Sequence, residues 1–495
     1  MQAFTIFSCP IPNPTRYTLT LGSTALRTES VIMPLHNTED LKAGPTHEVE
    51  ASVHDAAAET YIFPEFRQDP RSVYQCIHDQ LVLDGNSQQN LATFCTTWIE
   101  PEIEKLMVES ADKNMIDKDE YPQTAAIEER CVHMLADLWN SPEAASTIGC
   151  STTGSSEAAM LGGLALKWNW RKRQSAAGKP TDRPNLIMGP VQVCWHKFCR
   201  YFDVEIREVP MEGERLLLTP EEVVKRCDEN TIGVIVTLGV TFTLQYEPVH
   251  AISDALDKLE AETGLHVPIH VDGASGGFVW PFLYPDSKWD FRLEQVRSIN
   301  VSGHKYGLVY PGIGWLIFRE RADLAEDLVF YENYLGQRDA TFTLNFSTGS
   351  AMVVAQYYNF VRLGHDGYSY IMHTMQANAR KLAEDIKAIG EFSIIGEDDA
   401  EQLPLVAFRL AEEHTYDEFD IAAQLAAERG WMVPAYTLPP NADHIKIMRA
   451  LVKETLGRSL TTALGQDIAQ ACATLKQKGR VHHTERARVH TSTSY

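Results

Sequence analysis

The stretch Gly233-Val234-Ile235-Val236-Thr237-Leu238, followed by a helix-like segment from His250 to Thr263 and by His266-Val267-Pro268-Ile269-His270-Val271, decides the fold. Two apolar runs of strand length joined through a helix read as strand, helix, strand with both strand faces buried, the pattern of a mostly parallel α/β sheet. Further apolar runs at Leu186 to Met188, Ser298 to Ser302 and Gly314 to Phe318 extend it. Upstream, Ile127, Cys131, Met134, Leu135 and Leu138 fall at helical spacing. Ser155 to Arg173 reads as a second helix whose C-terminal end carries Lys167, Arg171, Lys172 and Arg173. Cations there suit the helix dipole and leave the N-terminal end positive. After Arg362 the pattern changes to a long helix, Tyr368 to Ile389, and short strands near Phe392 to Ile395, Leu405 to Leu410, Met432 to Tyr436 and His444 to Met448. With helices over Phe419 to Arg429 and to about Leu475, these form a smaller α+β domain.

The 495 residues carry 44 Lys and Arg against 67 Asp and Glu, a formal net charge of −23, and so acidic a surface repels phosphate backbones and anionic lipid. Neither nucleic acid nor membrane is an expected partner. The nine cysteines are scattered without a Cys-x-x-Cys pair, which indicates neither a disulfide framework nor a zinc knuckle and fits a reducing compartment. The uncharged stretch from Ala340 to Val361 is interrupted by Thr341, Thr343, Asn345, Ser347, Thr348, Ser350, Gln356 and Asn359, too often for a membrane span. Pro10, Pro12 and Pro14, with no basic segment ahead of the first apolar run, disfavour a secretory signal. Residues 1 to 28 are rich in Ser and Thr and lack acids, which is partly transit-like, but show no helical period; Met33 is an alternative start.

Three local features carry chemistry. Ser302-Gly303-His304-Lys305-Tyr306-Gly307 directly follows an apolar strand. A lysine at such a strand end is poorly solvated, and desolvation frees its amine for Schiff-base formation, whereas a surface lysine in a turn would have no such role. His270-Val271-Asp272-Gly273-Ala274-Ser275-Gly276-Gly277 places an acid at the end of a second buried strand, where open α/β sheets bind ligands. Asp272 there suits a helix cap, a metal ligand or the partner of a cationic ring nitrogen. No cluster at metal-ligand spacing accompanies it, so no metal site is expected. Thr152-Thr153-Gly154-Ser155-Ser156-Glu157 opens a helix with free N–H groups, hydroxyls and the positive dipole end, which is either a phosphate cradle or an ordinary serine cap. Jointly, the lysine, the acid and the cradle are what pyridoxal 5′-phosphate (PLP) requires, and the absent glycine fingerprint argues against a nicotinamide enzyme.

These residues, with Asn90-Leu91-Ala92-Thr93-Phe94, Glu120-Tyr121-Pro122-Gln123, Gly154-Ser155-Ser156-Glu157-Ala158, Gly189-Pro190-Val191-Gln192-Val193-Cys194-Trp195-His196-Lys197 and Phe278 after the Asp272 motif, resemble the glutamate decarboxylases. These are group II PLP-dependent decarboxylases with the aspartate aminotransferase (type I) fold, and the likeness covers roughly residues 61 to 475. It implies a large PLP-binding domain over 89–375 with a mostly parallel seven-stranded sheet and a small C-terminal α+β domain over 376–475. It also implies an N-terminal segment, 61–88, that packs in the oligomer, between a flexible extension (1–60) and a flexible basic tail (476–495). The implied reaction is α-decarboxylation of L-glutamate to 4-aminobutyrate and CO₂ in the cytoplasm, with consumption of a proton.

By the same resemblance Lys305 would hold PLP, Asp272 would pair with its ring nitrogen, and Ser155 and Ser156 would seat the phosphate. Gln192 would lie against the ring, with Thr241, Ser302 and His304 completing the shell. Thr93, Asn114 and Asp117 would meet the distal carboxylate of the substrate and Arg449 its α-carboxylate; an arginine fork suits a carboxylate on physical grounds too. His304 or Lys305 would donate the proton to Cα. Phe346 and Ser347 would reach a neighbouring subunit's site, making a homodimer the minimum unit, and hexamers are common in the family. Two segments depart from the family pattern, Thr241-Phe242-Thr243-Leu244 and Tyr334-Leu335-Gly336-Gln337-Arg338-Asp339, both near the expected entrance. In the tail, His482, His483 and His490 are of the residue type that would titrate near neutrality, while Val481, Ala487 and Val489 are too small to anchor calmodulin.

Overall fold

The computed structural model describes residues 63–64, 66–243, 245–332, 339–396 and 401–478. The expected extension 1–60, the tail histidines His482, His483 and His490, Leu244 and residues 333–338 lie outside the described residues. The chain divides into a unit up to Asp84 and a unit from Gly85 onward. Among the described residues of the first, helix Pro70–Leu81 starts at a proline and is capped by the Asp69 carboxylate, which accepts from the N–H groups of Arg71 and Ser72. Proline suits that position because its missing N–H has no helical partner there in any case.

In the second unit the large sheet has strands β1 (Gly149–Thr152), β2 (Asn185–Met188), β3 (Glu205–Glu208), β4 (Thr231–Thr237), β5 (Ile269–Asp272), β6 (Val296–Ser302) and β7 (Gly314–Phe318), in the order β1-β7-β6-β5-β4-β2-β3. The pairs from β3 through β2, β4 and β5 to β6 are parallel, and β7 runs antiparallel to both β6 and β1. Every residue of β4, β5 and β7 is buried, as strands covered on both faces by helices must be. Each buried Val or Ile contributes roughly 1.5–3 kcal/mol. Strand β5 begins three residues later than the apolar run suggests, at Ile269, because Pro268 has no N–H to give the ladder.

The hairpin of β8 (Phe330–Glu332) and β9 (Asp339–Thr341) stands apart. A four-stranded antiparallel sheet then follows, with β10 (Phe392–Ile394), β11 (Leu405–Leu410), β12 (Ala435–Thr437) and β13 (Lys446–Leu451) ordered β10-β11-β13-β12. Helices Glu418–Arg429 and Arg458–Lys478 belong to this second layer. Its Phe408 and Met448 share one core cluster with Val236, Val271 and Ile299 of the large sheet.

The helix expected from Tyr368 instead begins at Ala351 and runs 39 residues to Ile389, bent at Gly364, whose φ of 56° and ψ of −169° are non-helical. That glycine breaks the helical periodicity, which is why only the second half was legible. The boundary expected between residues 375 and 376 falls inside this helix. No helix among the described residues is long and apolar enough to cross a membrane.

Candidate active site

The ends of β4, β5 and β6 lie side by side: Thr237 pairs with Asp272, and Asp272 with Asn300. This is the carboxyl edge of the sheet, where ligands of open α/β folds collect. Side chains two residues apart on a strand share a face, so His270 and Asp272 of β5 lie beside Ser298, Asn300 and Ser302 of β6. The Asp272 carboxylate is buried and accepts three hydrogen bonds: from Trp195 Nε1 to Oδ2 (2.8 Å), and from Asn300 Nδ2 and the Ala274 N–H to Oδ1 (both 3.1 Å).

Lys305 sits in the turn after β6, and its Nζ donates to Ser275 Oγ at 3.1 Å. Burial pulls its amine below the usual lysine range; the negative charge of Asp272 opposes this and Arg449 reinforces it. His304 is likewise lowered, by burial and then by the adjacent Lys305 charge. The loop beyond Lys305 is clamped by the long helix. Gln356 Nε2 (2.9 Å) and Tyr368 Oη (3.0 Å) donate to the Gly307 carbonyl, and Asn359 Nδ2 donates to that of Leu308 (2.6 Å). Leu308 needs that support, since its φ of 62° is a left-handed conformation costly for a branched residue.

Ser155 opens helix Ser155–Ala176, but the cap position belongs to Gly154 and no side chain caps this helix. The reading of a serine cap is therefore set aside, and the first-turn N–H groups keep their capacity for an anion. Ser302 Oγ donates to Ser155 Oγ at 2.7 Å, while Ser156 is exposed. The cradle approaches β7 so closely that a Cβ on Gly314 would lie 2.4 Å from the Gly154 carbonyl carbon and 2.6 Å from Ser155 N. Glu157 holds the cradle from behind: its Oε2 accepts from Thr153 N (2.8 Å) and Oγ1 (3.0 Å), and its Oε1 from the N–H groups of Leu344 (3.2 Å) and Asn345 (3.3 Å). Gln192 is the N-cap of helix Val193–Tyr201, accepting from Cys194 N at 2.6 Å, and that helix carries Trp195 to Asp272.

Arg449, on β13, reaches back to the large domain. Its Nη1 donates to the Thr241 carbonyl (2.9 Å) and its Nη2 to that of Ala92 (2.7 Å), with the guanidinium 4.7 Å from the centroid of Phe94. Its Nε is buried without a hydrogen-bond partner among the described residues, an orphaned charged donor. Lys305 Nζ lies 5.1 Å from the centroid of the same Phe94 ring, so both cations approach one aromatic side chain. Thr93 is exposed beside it, held by Asn90.

The remaining expected residues form a second group. Asn114 donates to Ser347 Oγ (3.3 Å) and accepts from the Thr348 N–H (3.1 Å); Asp117 N–H donates to the Asn114 carbonyl (3.1 Å), and Phe346 and Ser347 are exposed. No described contact joins this group to Lys305 or Arg449. The sequence assigns no supporting role to Trp195, Asn300, Ser275, Glu157, Gln356 or Asn359, which the structure shows holding the site. A signal for Asn300 was present in the alternation Ser298-Ile299-Asn300-Val301-Ser302, polar at every second position of a strand buried on both faces.

A lowered lysine, a strand-end carboxylate held by three donors and an uncapped helix start with two hydroxyls fit PLP. The pyridoxal-dependent decarboxylase conserved domain matches residues 64–411. A glutamate decarboxylase of Aliivibrio fischeri is 54% identical over 454 residues, 91% of this chain and 97% of that protein. One of Petunia hybrida is 48% identical over 430 residues, 85% of each. The solved glutamate decarboxylase of Lactobacillus brevis CGMCC 1306 superposes with a TM-score of 0.83 at 42% identity, over 87% of this chain and 98% of that one. A sphingosine-1-phosphate lyase of Burkholderia pseudomallei, 19% identical with a TM-score of 0.71, shares the fold over 86% of this chain and 95% of its own.

Proposed function

This chain belongs to the pyridoxal-dependent decarboxylases, within the glutamate decarboxylase family, and we propose how its own residues remove the α-carboxylate of L-glutamate to give 4-aminobutyrate and CO₂. The cofactor is PLP, which when bound supplies an electron sink for the pair left at Cα as CO₂ departs. Lys305 would anchor it, and burial, which lowers the amine from the usual lysine range, favours the nucleophilic form. Asp272 would pair with the ring nitrogen and favour its protonated state. Ser155, Ser156 and Ser302 take the phosphate at the uncapped helix start. Gln192 would border the ring, and Thr241, through its carbonyl, sets the angle of Arg449.

Arg449 receives the α-carboxylate, and its orphaned Nε is the observation that carries this assignment, because a buried guanidinium N–H without an acceptor calls for an anion. The same residue orients the bond to be broken, while the apolar wall of Phe94 and Tyr306 excludes water. Thr93, Asn114 and Asp117 take the distal carboxylate, and His304 or Lys305 returns the proton to Cα. We further propose that the homodimer is the minimum active unit and that the protein works in the cytoplasm. Asn114 and Asp117 then join Phe346 and Ser347 in serving the neighbouring subunit's site, which the Asn114–Ser347 bond supports.

The deciding experiment follows the absorbance of the PLP-loaded protein before and after L-glutamate while CO₂ and 4-aminobutyrate are measured. A band at ~420 nm that shifts on glutamate and disappears in Lys305→Ala is expected. A PLP band without glutamate turnover would assign the site to another amino acid.

A further inference from the structure

Behind Asp272 lies a chain of buried polar groups that the reaction as described does not use. Ser298 Oγ and His270 Nδ1 are 2.7 Å apart, His270 Nε2 and Asn300 Oδ1 are 2.7 Å apart, and Asn300 Nδ2 donates to Asp272 Oδ1 at 3.1 Å. All of His270, Ser298 and Asn300 are buried. Hydrogen-bond logic gives the chain a direction. A carboxylate only accepts, so the NH₂ of Asn300 must face Asp272 and its carbonyl oxygen must face His270. That oxygen also only accepts, so His270 Nε2 carries the hydrogen. Full burial holds the imidazole neutral, its pKa lowered to about 4 with desolvation as the largest cause. Nδ1 is then an acceptor and the Ser298 hydroxyl the donor, and each bond runs toward Asp272.

Packing fixes the ring as firmly as the hydrogen bonds do. A Cβ on Gly162 would lie 2.5 Å from His270 Cε1 and 2.7 Å from Nδ1, so the helix carries a glycine where the ring needs space. The ring also meets Trp195 edge to face at 5.1 Å, the same tryptophan that donates to Asp272 Oδ2. A glycine inside a helix costs up to about 1 kcal/mol relative to alanine, a cost the seat for His270 explains.

We propose that His270 is a positioning residue that acts through Asn300, holding the Asp272 carboxylate at the angle and place from which it meets the cofactor's ring nitrogen. The proposal rests on the assignment of Asp272 made above. Without the pull of His270 on its carbonyl, the Asn300 amide is free to rotate and its donation to Oδ1 is lost, leaving that oxygen to the Ala274 N–H alone while Trp195 holds Oδ2.

The test titrates the apoprotein with PLP and with an analogue whose ring nitrogen is replaced by C–H, and separately measures kcat and KM for glutamate in the holoenzyme. Wild type should prefer PLP to the analogue. His270→Phe, which keeps the ring against Trp195, and Asn300→Leu should each bind PLP roughly tenfold more weakly, the scale of one hydrogen bond. Both should bind the analogue as wild type does, and the double variant should be no worse than either single one. Their kcat should fall with KM unchanged. Ser298→Ala, the mildest change, should show part of the same selective loss and decides the question if the larger substitutions fail to fold. Equal loss for PLP and analogue would reduce the chain to packing and overturn the proposal, as would wild-type preference in the variants. A wild type that does not distinguish the two compounds would instead overturn the assignment of Asp272 itself.

Discussion

Asn114 donates its side-chain amide to Ser347 Oγ at 3.3 Å and accepts the Thr348 N–H at 3.1 Å, so a residue expected to hold substrate is bound to a loop expected to serve the neighbouring subunit. If the two act together, the distal carboxylate and the PLP anchor of one site come from different chains. Mixing Lys305→Ala with Asn114→Ala then rebuilds one intact site in each mixed dimer. Random exchange of two inactive homodimers should recover about a quarter of wild-type activity, half the dimers being mixed with one good site in two. Zero recovery after verified subunit exchange would place Asn114 in the site of its own chain.

Gly314 is predicted to be indispensable to the phosphate seat. A methyl group there would press on the Gly154 carbonyl carbon and on Ser155 N, which are backbone atoms that cannot step aside. Gly314→Ala should weaken PLP binding by the apoprotein tenfold or more, roughly the loss of one or two charge-assisted hydrogen bonds. Titration at ~420 nm reads this directly; unchanged affinity would mean that the helix start can shift without loss.

Arg449→Lys keeps the charge and removes the fork. The ammonium cannot satisfy the carbonyls of Thr241 and Ala92 while also meeting a carboxylate. The KM for glutamate should rise by roughly 10- to 100-fold, with the absorbance of bound PLP unchanged. A change in the spectrum without a change in KM would assign Arg449 to the cofactor instead.

Two buried groups give stability opposite dependences on pH. Burial raises Glu247 from 4.5 to about 7, although the N–H groups of Thr237 and Leu218 donate to it. Its folded value lies above its unfolded one, so its stabilising contribution is complete below about pH 4.5 and lost as pH rises to about 7. His270, lowered from 6.5 to about 4, contributes above about pH 6.5 and loses its part as pH falls toward 4. Each is worth ~3 kcal/mol over its window, so the two largely offset. Glu247→Gln removes one of them, and relative to wild type the variant should lose ~3 kcal/mol between pH 7 and pH 4.5. Denaturant unfolding at the two pH values checks it; parallel curves would show that Glu247 does not titrate in this range.

The legible part of this protein was the part written locally. Lys305, Asp272 and Ser155 each stand at the end of a strand or the start of a helix, in short motifs whose chemistry depends on immediate neighbours, and alternating strand and helix signals reveal the sheet that aligns them. Where one residue interrupts a local pattern the spacing no longer marks the element's bounds: Pro268 delays β5 and Gly364 hides the first half of the long helix.

The sequence by itself determined the class of fold and the kind of cofactor, and it named the candidates to hold that cofactor. Only the tertiary structure decided how those residues are held. Trp195 reaches Asp272 across 77 positions, Asn359 reaches Leu308 across 51, Arg449 reaches Ala92 across 357, and Asn114 reaches Ser347 across 233. Such contacts leave no periodic trace in the chain, because they depend on strand order and register, and on which helix covers which edge. Those are settled by burying the whole core at once, and no segment carries that information alone.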